Sequence, residues 1–505
     1  MAEISRAPRI TRDECIAHIT ESTFRLRPSD WRERYPLWPG AVGLEIEMLP
    51  VAKTGGGAPG STAAAPPASS PASIAAGDLP RGIPLQGRNH SLAAILRSIS
   101  PQNRWTVEDY PEDVAREVGI ESPMLAGITM DVGDKLSFEP GGQLEFSSIP
   151  YPCLTDAVRR MRQVQGILDE RLAQDGIELV QLGINPWHTV EQINLQMRKP
   201  RYRAMNEFFS KIGPAGQRMM RQTCTVQVNL DFGPDETTLA KRFLVAQLLA
   251  PITGAVFANS GFVDGRRNSL RGLRSQVWLD IDPSRTGVPR GLDRVAREWT
   301  KASCVAAYVD LLMNSKVVFV AGLGYRVPQG GITWGEWLDR PIDGVYPTKA
   351  DLETQLSLLF PEVRARGFLE LRSVDCQPRA WQVVPAAFWI GILYDPVSLD
   401  GALELLNPHL GHLSNLLGAV PRTGVSSGPL RELSGRLMEL AIAGFGRLAP
   451  CFKGEGSDRR LRVFAEHFTM RGRAPIDDLW DVCRERAPSL DELHRVEANW
   501  ARLLV

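Results

Sequence analysis

Ser137-Phe-Glu-Pro-Gly-Gly-Gln-Leu-Glu-Phe-Ser147, SFEPGGQLEFS, is the stretch on which the reading of this chain turns. It sets two glutamates and a glutamine around a Pro-Gly-Gly turn, between residues that seek burial. If Pro140-Gly141-Gly142 forms a three-residue hairpin loop, Glu139 falls opposite Gln143 and Ser137 opposite Glu145, because strand side chains alternate faces with a period of two. One face then carries Ser137, Glu139, Gln143, Glu145 and Ser147, and the other Phe138, Leu144 and Phe146. A two-residue loop would instead split the glutamates between faces. The longer loop is preferred because it separates polar from apolar side chains, and one-sided burial is what fixes a register.

Three other stretches share this design. In Gly43-Leu-Glu-Ile-Glu-Met48, Glu45 and Glu47 take one strand face and Leu44, Ile46 and Met48 the other. From Thr223 to Phe232 the alternation sets Thr223, Thr225, Gln227, Asn229 and Asp231 against Cys224, Val226, Val228, Leu230 and Phe232. In Gly367-Phe-Leu-Glu-Leu-Arg372, Glu370 and Arg372 point together. The commoner fate of such a polar face is contact with solvent. Here, however, Glu45, Glu47, Glu139 and Glu145 come with no lysine or arginine on their own strand faces. Converging carboxylates without partners repel, and a shared cation relieves them. Hard oxygen ligands with few histidines favour magnesium or manganese over zinc.

A metal on glutamates suggests chemistry on nucleotide phosphates, although the chain has no GxxxxGK[ST] loop. Its GxGxxG match, Gly55 to Gly60, falls in low-complexity sequence with no helix pattern after it, and is read as chance. NSLRGLRSQVWLDIDPSRTG, from Asn268, supplies Arg271, Arg274 and Arg285. One such arginine could clamp a substrate carboxylate and another offset charge on a transferring phosphoryl group. His409-x-x-His412 has metal-pair spacing but lacks nearby carboxylates, so it is read as structural.

The chain of 505 residues is 43% hydrophobic, enough for a sizeable core. Lysine plus arginine and aspartate plus glutamate both number 58, which gives no support for nucleic acid or an anionic membrane as main partner. MAEISRAPRI lacks a signal-peptide core, and the apolar run Trp381 to Tyr394 is too short for a bilayer. A soluble, cytoplasmic protein is the simplest expectation. Seven scattered cysteines without a CxxC pair predict reduced thiols, with no disulfide framework and no zinc site. Cys224 falls on the apolar face of its strand and Cys376 beside the cleft strand.

Thr11-x-x-Glu14 is a capping-box pattern ahead of a short helix to about Phe24, and Ser489-x-x-Glu492 starts a last helix with Leu493, Val496 and Trp500 on one stripe. A Gly/Pro/Ser-rich insertion is expected to be flexible at about 53–80. Strand and helix patterns mix from about 40 to 375, including helices at Leu154 to Gln174 and Thr237 to Ala258, and the pattern is helical from Trp381 onward. The expected class is therefore α+β, with a catalytic core over 1–380 and a helical region over 381–505 packed on it.

In this order the motifs resemble the type 2 family of glutamate-cysteine ligases, known from plants and from actinobacterial ergothioneine biosynthesis. The resemblance rests on GLEIE from Gly43, FEPGGQLE from Phe138, RQTCTVQVNLDF from Arg221, FANS from Phe257, RSQVWLDIDPSRTG from Arg274 and LFPEVRARGFLELRSVDCQP from Leu359. RYRAM at Arg201 and VDCQP at Val374 lean towards the ergothioneine branch. The resemblance implies a glutamine-synthetase-like, curved, largely antiparallel sheet forming a cleft. It implies ATP as co-substrate and glutamate and cysteine as substrates, joined through a γ-glutamyl phosphate. On this reading Glu45, Glu47, Glu139, Glu145 and Glu370 hold magnesium or manganese. Gln143, Thr223, Thr225, Gln227 and Asn229, with Arg274 and Arg285, line the substrate and nucleotide site, and Arg274, Arg285 and Arg372 serve catalysis. His188, in GINPWH, is expected near the cleft without a catalytic role. Two departures stand out: Gln355 replaces the histidine usual before LFP, and the segment around Lys316 lacks a common proline. They motivate one alternative, a ligase using a different amine acceptor; a catalytically silent ATP-binding relative that keeps the scaffold is the other.

Overall fold

The fold is that of a computed structural model, which describes residues 8–27, 33, 39–53, 79–87, 91–120 and 122–505. The low-complexity insertion, with its GxGxxG match, lies almost entirely outside them, at 54–78.

The described strands are β1 (Val42–Ala52), β2 (Arg81–Gly82), β3 (Thr106–Asp109), β4 (Leu125–Thr129), β5 (Lys135–Phe138), β6 (Leu144–Ser147), β7 (Ile177–Val180), β8 (Val226–Leu230), β9 (Phe262–Val263), β10 (Arg266–Arg267), β11 (Val363–Ala365) and β12 (Leu369–Leu371). Eight of them form a sheet in the order β11-β12-β8-β1-β6-β5-β4-β3, with β2 and β7 paired to the far half of β1. β9 and β10 make a separate ribbon. Each pairing between these strands is antiparallel. The α+β class and the largely antiparallel sheet that the family resemblance implies are what the chain forms.

β1 is the spine because its alternation satisfies two neighbours. Its first half pairs β8 on one side (Glu45 opposite Gln227) and β6 on the other (Glu47 opposite Glu145). Directly opposed residues of an antiparallel pair share a face. The apolar face, with Ile46, Val228 and Phe146 all buried, is covered by helices Leu154–Ala173, Glu236–Val256 and Val384–Leu393. Glu236–Val256 is long and apolar enough to cross a membrane, but 94% of its apolar window is buried inside the protein, as in a core helix.

After β12 the described chain contains helices and no named strand. Trp381, Phe464, Phe468 and Trp500 pack together in that region, edge to face except for the tilted pair Phe464–Phe468, with ring centres 4.9 to 6.4 Å apart. The two sequence capping boxes form as read, at Thr11 with Glu14 and at Ser489 with Glu492. The last helix buries Leu493, Val496 and Trp500.

Candidate active site

The hairpin adopts the longer loop. Ser137 pairs with Glu145 and Phe138 with Leu144, and the Glu139 N–H donates to the Gln143 carbonyl at 3.0 Å. Gly142 takes a φ of 88°, a left-handed conformation suited to glycine. Gly141 packs so closely that a Cβ there would stand 2.4 Å from the Arg221 carbonyl oxygen and 2.6 Å from its Cα. The loop is held from its other side too, since the N–H groups of Gln196 and Met197 donate to the Pro140 carbonyl at 2.8 and 3.1 Å. Glu139 therefore sits on a fixed turn, which is what a ligand-binding carboxylate needs.

This register brings three glutamates together. One carboxylate oxygen from each of Glu47, Glu139 and Glu145 lies within 4.8 Å of the others, the only such cluster of metal-binding side chains among the described residues. Glu47 accepts from the Thr225 N–H (2.8 Å), the Thr225 hydroxyl (3.0 Å) and Gln227 Nε2 (3.2 Å). Glu145 accepts from the hydroxyls of Ser137 (2.7 Å) and Ser147 (2.9 Å). Glu45, one step along the same face, accepts from Asn229 Nδ2 at 2.8 Å. No hydrogen bond or salt bridge among the described residues ends on the Glu139 carboxylate.

Burial, reinforced by neighbouring carboxylates, raises the pKa values of these acids. Glu45 goes from the ordinary 4.5 to about 7, first through desolvation and then through Glu370 and Glu145. Glu47 is pushed well up by burial and then by Glu139 and Glu145. Burial raises Glu145, with Glu139 adding to it, and burial also raises Glu139. A carboxyl raised in the folded state makes that state bind more protons than the unfolded one between the two pKa values, so stability falls as pH rises through that window. For Glu45 the window runs from 4.5 to about 7. Oxygen donors held together at such a cost fit a divalent cation of the magnesium or manganese kind, for which carboxylates are the natural ligands.

The glutamates line a cavity of about 340 Å3 together with five basic side chains. Lys199, Arg201, Arg364, Arg366 and Arg372 line it, with Thr223, Thr225 and Gln227 beside the acids. Met197, Met205, Met219, Met220, Trp278 and Phe360 supply apolar surface. Lys199 lies 4.1 Å over the Tyr202 ring, and burial followed by the Arg201 charge lowers its pKa to about 8. Acidic and basic side chains together suit a ligand carrying both a metal and anionic groups.

Several expected site residues lie elsewhere. Glu370 is fully buried and does not join the carboxylate cluster. Its cross-strand neighbour Arg364 grips it with Nε and Nη2, while Arg366 and Arg372 each add a bond at 3.1 Å. With both oxygens taken, Glu370 orients arginines. Burial alone would raise its pKa, but Arg364 and then Arg372 hold it well below the carboxylate range. Arg274 is also fully buried; it donates to the Arg372 carbonyl (2.7 Å) and stacks on Trp278. Arg285 binds Asp282, the Leu358 carbonyl (2.8 Å) and the Lys316 carbonyl (2.7 Å), with no exposed surface. Neither arginine lines the cavity, and both guanidinium groups are taken up by buried partners instead. Arg372 does line it, donating to Gln227 Oε1 at 2.7 Å.

Gln143 turns away from this cavity: its Nε2 donates to the Thr223 carbonyl (3.0 Å), and it lines a neighbouring concavity with His188. Asn229 does not line the cavity and donates to Glu45 instead. Gln355, buried, donates to Ser315 Oγ (2.8 Å) and to the Lys316 carbonyl (3.0 Å) that Arg285 also binds. The two departures from the family pattern thus meet at the Lys316 carbonyl. Cys224 and Cys376 are buried free thiols, the latter donating to the Glu47 carbonyl at 3.0 Å. His409 and His412 lie on a short 3-10 turn and enter no metal-type cluster among the described residues.

Lys199, Arg201, Arg364 and Arg366 were missed. Arg364 and Arg366 did carry a signal, since Arg364 lies on β11 and Arg366 begins the turn that leads into Glu370.

The chain matches glutamate-cysteine ligase family 2 over residues 99–438. It is 34% identical over 324 residues to the chloroplastic glutamate-cysteine ligase of Medicago truncatula, an alignment covering 62% of this chain and 61% of that one. With the Arabidopsis thaliana enzyme it shares 32% identity over 368 residues, 70% of this chain and 66% of the other, and with the Nicotiana tabacum enzyme 32% over 324 residues. The match spans 60% of the tobacco enzyme's length. Among solved structures it is similar to a bifunctional glutathione synthetase from Pasteurella multocida, at 14% identity and a TM-score of 0.39 over 87% of this chain and 54% of that one. The match covers well over half of the sequence and includes the hairpin, β8, β12 and every basic residue of the cavity wall, and the chain belongs to glutamate-cysteine ligase family 2.

Proposed function

We propose that the protein is an ATP-dependent ligase that joins the γ-carboxylate of L-glutamate to the amine of L-cysteine through a γ-glutamyl phosphate. The observation that carries this reading is the three-glutamate cluster sharing one small cavity with several arginines, in a chain of this family. Glu47, Glu139 and Glu145 would hold magnesium or manganese, with Glu45 beside them. A bound cation of that kind neutralises charge on the phosphates of ATP. Arg364, Arg366 and Arg372, pinned by Glu370, would present guanidinium forks to a carboxylate or to the phosphoryl group in transfer. Lys199 and Arg201 would hold the opposite side of the same anion. The apolar methionine wall would exclude water from the acyl phosphate before the amine arrives. We place the product in low-molecular-weight thiol synthesis in a reducing cytoplasm, in line with the free cysteines, and the RYRAM and VDCQP segments point to the ergothioneine route.

Incubation with ATP, magnesium, glutamate and cysteine is expected to release ADP and phosphate in step with a γ-glutamyl dipeptide. ADP release indifferent to both amino acids would refute the reaction. A panel of amines sets the acceptor: another amine preferred over cysteine by more than about tenfold, about 1.4 kcal/mol in transition-state binding, would keep the ligase and replace its substrate.

A further inference from the structure

A second concavity, of about 570 Å3, shares no lining residue with the cavity described above. Four arginines, Arg267, Arg271, Arg473 and Arg484, surround Trp480 there, with Asp477 and Asp481. The β9–β10 ribbon presents Arg267, whose backbone N–H donates to the Glu485 carbonyl at 2.9 Å. Helix Pro475–Val482 presents Trp480, its indole N–H donating to the Gly261 carbonyl at 3.3 Å. The Arg267 guanidinium lies 4.4 Å from the Trp480 ring centre and that of Arg271 5.3 Å. Stacking fixes a guanidinium in place and leaves its N–H donors free.

The charges do not balance. Arg271 is paired with Asp477, and Arg473 with Asp478 and Asp481. No salt bridge or side-chain hydrogen bond among the described residues ends on the guanidinium of Arg267 or Arg484, and both residues are exposed. A concave surface thus holds two uncompensated arginines beside two paired ones, in a chain whose formal net charge is zero. Guanidinium forks approaching from several elements match an acceptor with several oxygens and more than one charge. We infer that this concavity binds the phosphoryl group of a small soluble ligand, at a site separate from the carboxylate cavity and independent of the reaction proposed there.

The full chain, in magnesium-free buffer of fixed ionic strength, is to be titrated calorimetrically with inorganic pyrophosphate, inorganic phosphate and L-glutamate. Saturable pyrophosphate binding is expected, tighter than that of glutamate. The double variant Arg267→Ala/Arg484→Ala should weaken it about tenfold or more, with the thermal midpoint unchanged. Inorganic phosphate binding at the same arginines would show that one phosphoryl group suffices. Should the double variant fold poorly, Arg484→Gln alone is to be read the same way. Absent binding, unchanged affinity in the variants, or glutamate binding as tightly as pyrophosphate and weakened equally by the same variants would each overturn the assignment.

Discussion

Replacing Glu139 by glutamine is expected to lower turnover by about a hundredfold or more while the chain stays folded. The substitution keeps the side chain's shape on its clamped turn and removes one charge from a cluster whose oxygens lie within 4.8 Å of one another. Since burial raises the Glu139 pKa, its ionised form weakens the folded state. Its loss therefore leaves stability at neutral pH equal or improved when no metal is bound. The loss in turnover should be eased by raising magnesium if the fault is in metal affinity. Steady-state assays across a magnesium titration, beside thermal unfolding of the same variant, separate this from misfolding. Unchanged turnover would make the polar face of the hairpin a passive surface.

Replacing Glu370 by glutamine should have the opposite profile, unfolding the protein more readily and only secondarily slowing it. Arg364 and Arg372 are largely buried, and Glu370 is the carboxylate that neutralises them. Removing one partner of a buried ion pair leaves uncompensated charge, at about 3–5 kcal/mol. The depressed Glu370 pKa gives the direction with pH: its contribution is present above the unfolded carboxylate pKa and fades as pH falls towards the folded value, so the variant's deficit should shrink in acid. Arg366→Ala is the control. Its side chain is 59% exposed, so its bond to the same carboxylate should matter by about 1 kcal/mol or less. Urea unfolding of the two variants tests the contrast, and equal small effects would show that Glu370 anchors nothing.

What could be read from the sequence follows from period-two alternation. SFEPGGQLEFS disclosed its own register because each wrong register buries a glutamate among phenylalanines. Thr223 to Phe232 likewise fixed which side chains meet β1. What could not be read depended on partners remote in the chain. Glu370 looked like one more carboxylate of the cluster, and only the β11–β12 pairing puts Arg364 directly across from it. Arg274 and Arg285 belong to helices Leu273–Ile281 and Pro283–Thr286, where no alternation tells inside from outside. A guanidinium with carbonyl acceptors can be buried as well as displayed, and both were buried. Lys199 and Arg201 were hidden for a related reason: the start of helix Pro200–Ser210 carries them over the cleft through tertiary packing rather than through a strand pattern.

The central claim, that Glu47, Glu139 and Glu145 form one divalent-cation site, is tested most directly by manganese binding to the full chain, followed by electron paramagnetic resonance of the free ion. The wild-type chain should remove free manganese from solution in competition with magnesium, and Glu47→Gln and Glu139→Gln should each weaken that binding by about tenfold or more. Manganese bound with equal affinity and stoichiometry by wild type and both variants would contradict the account.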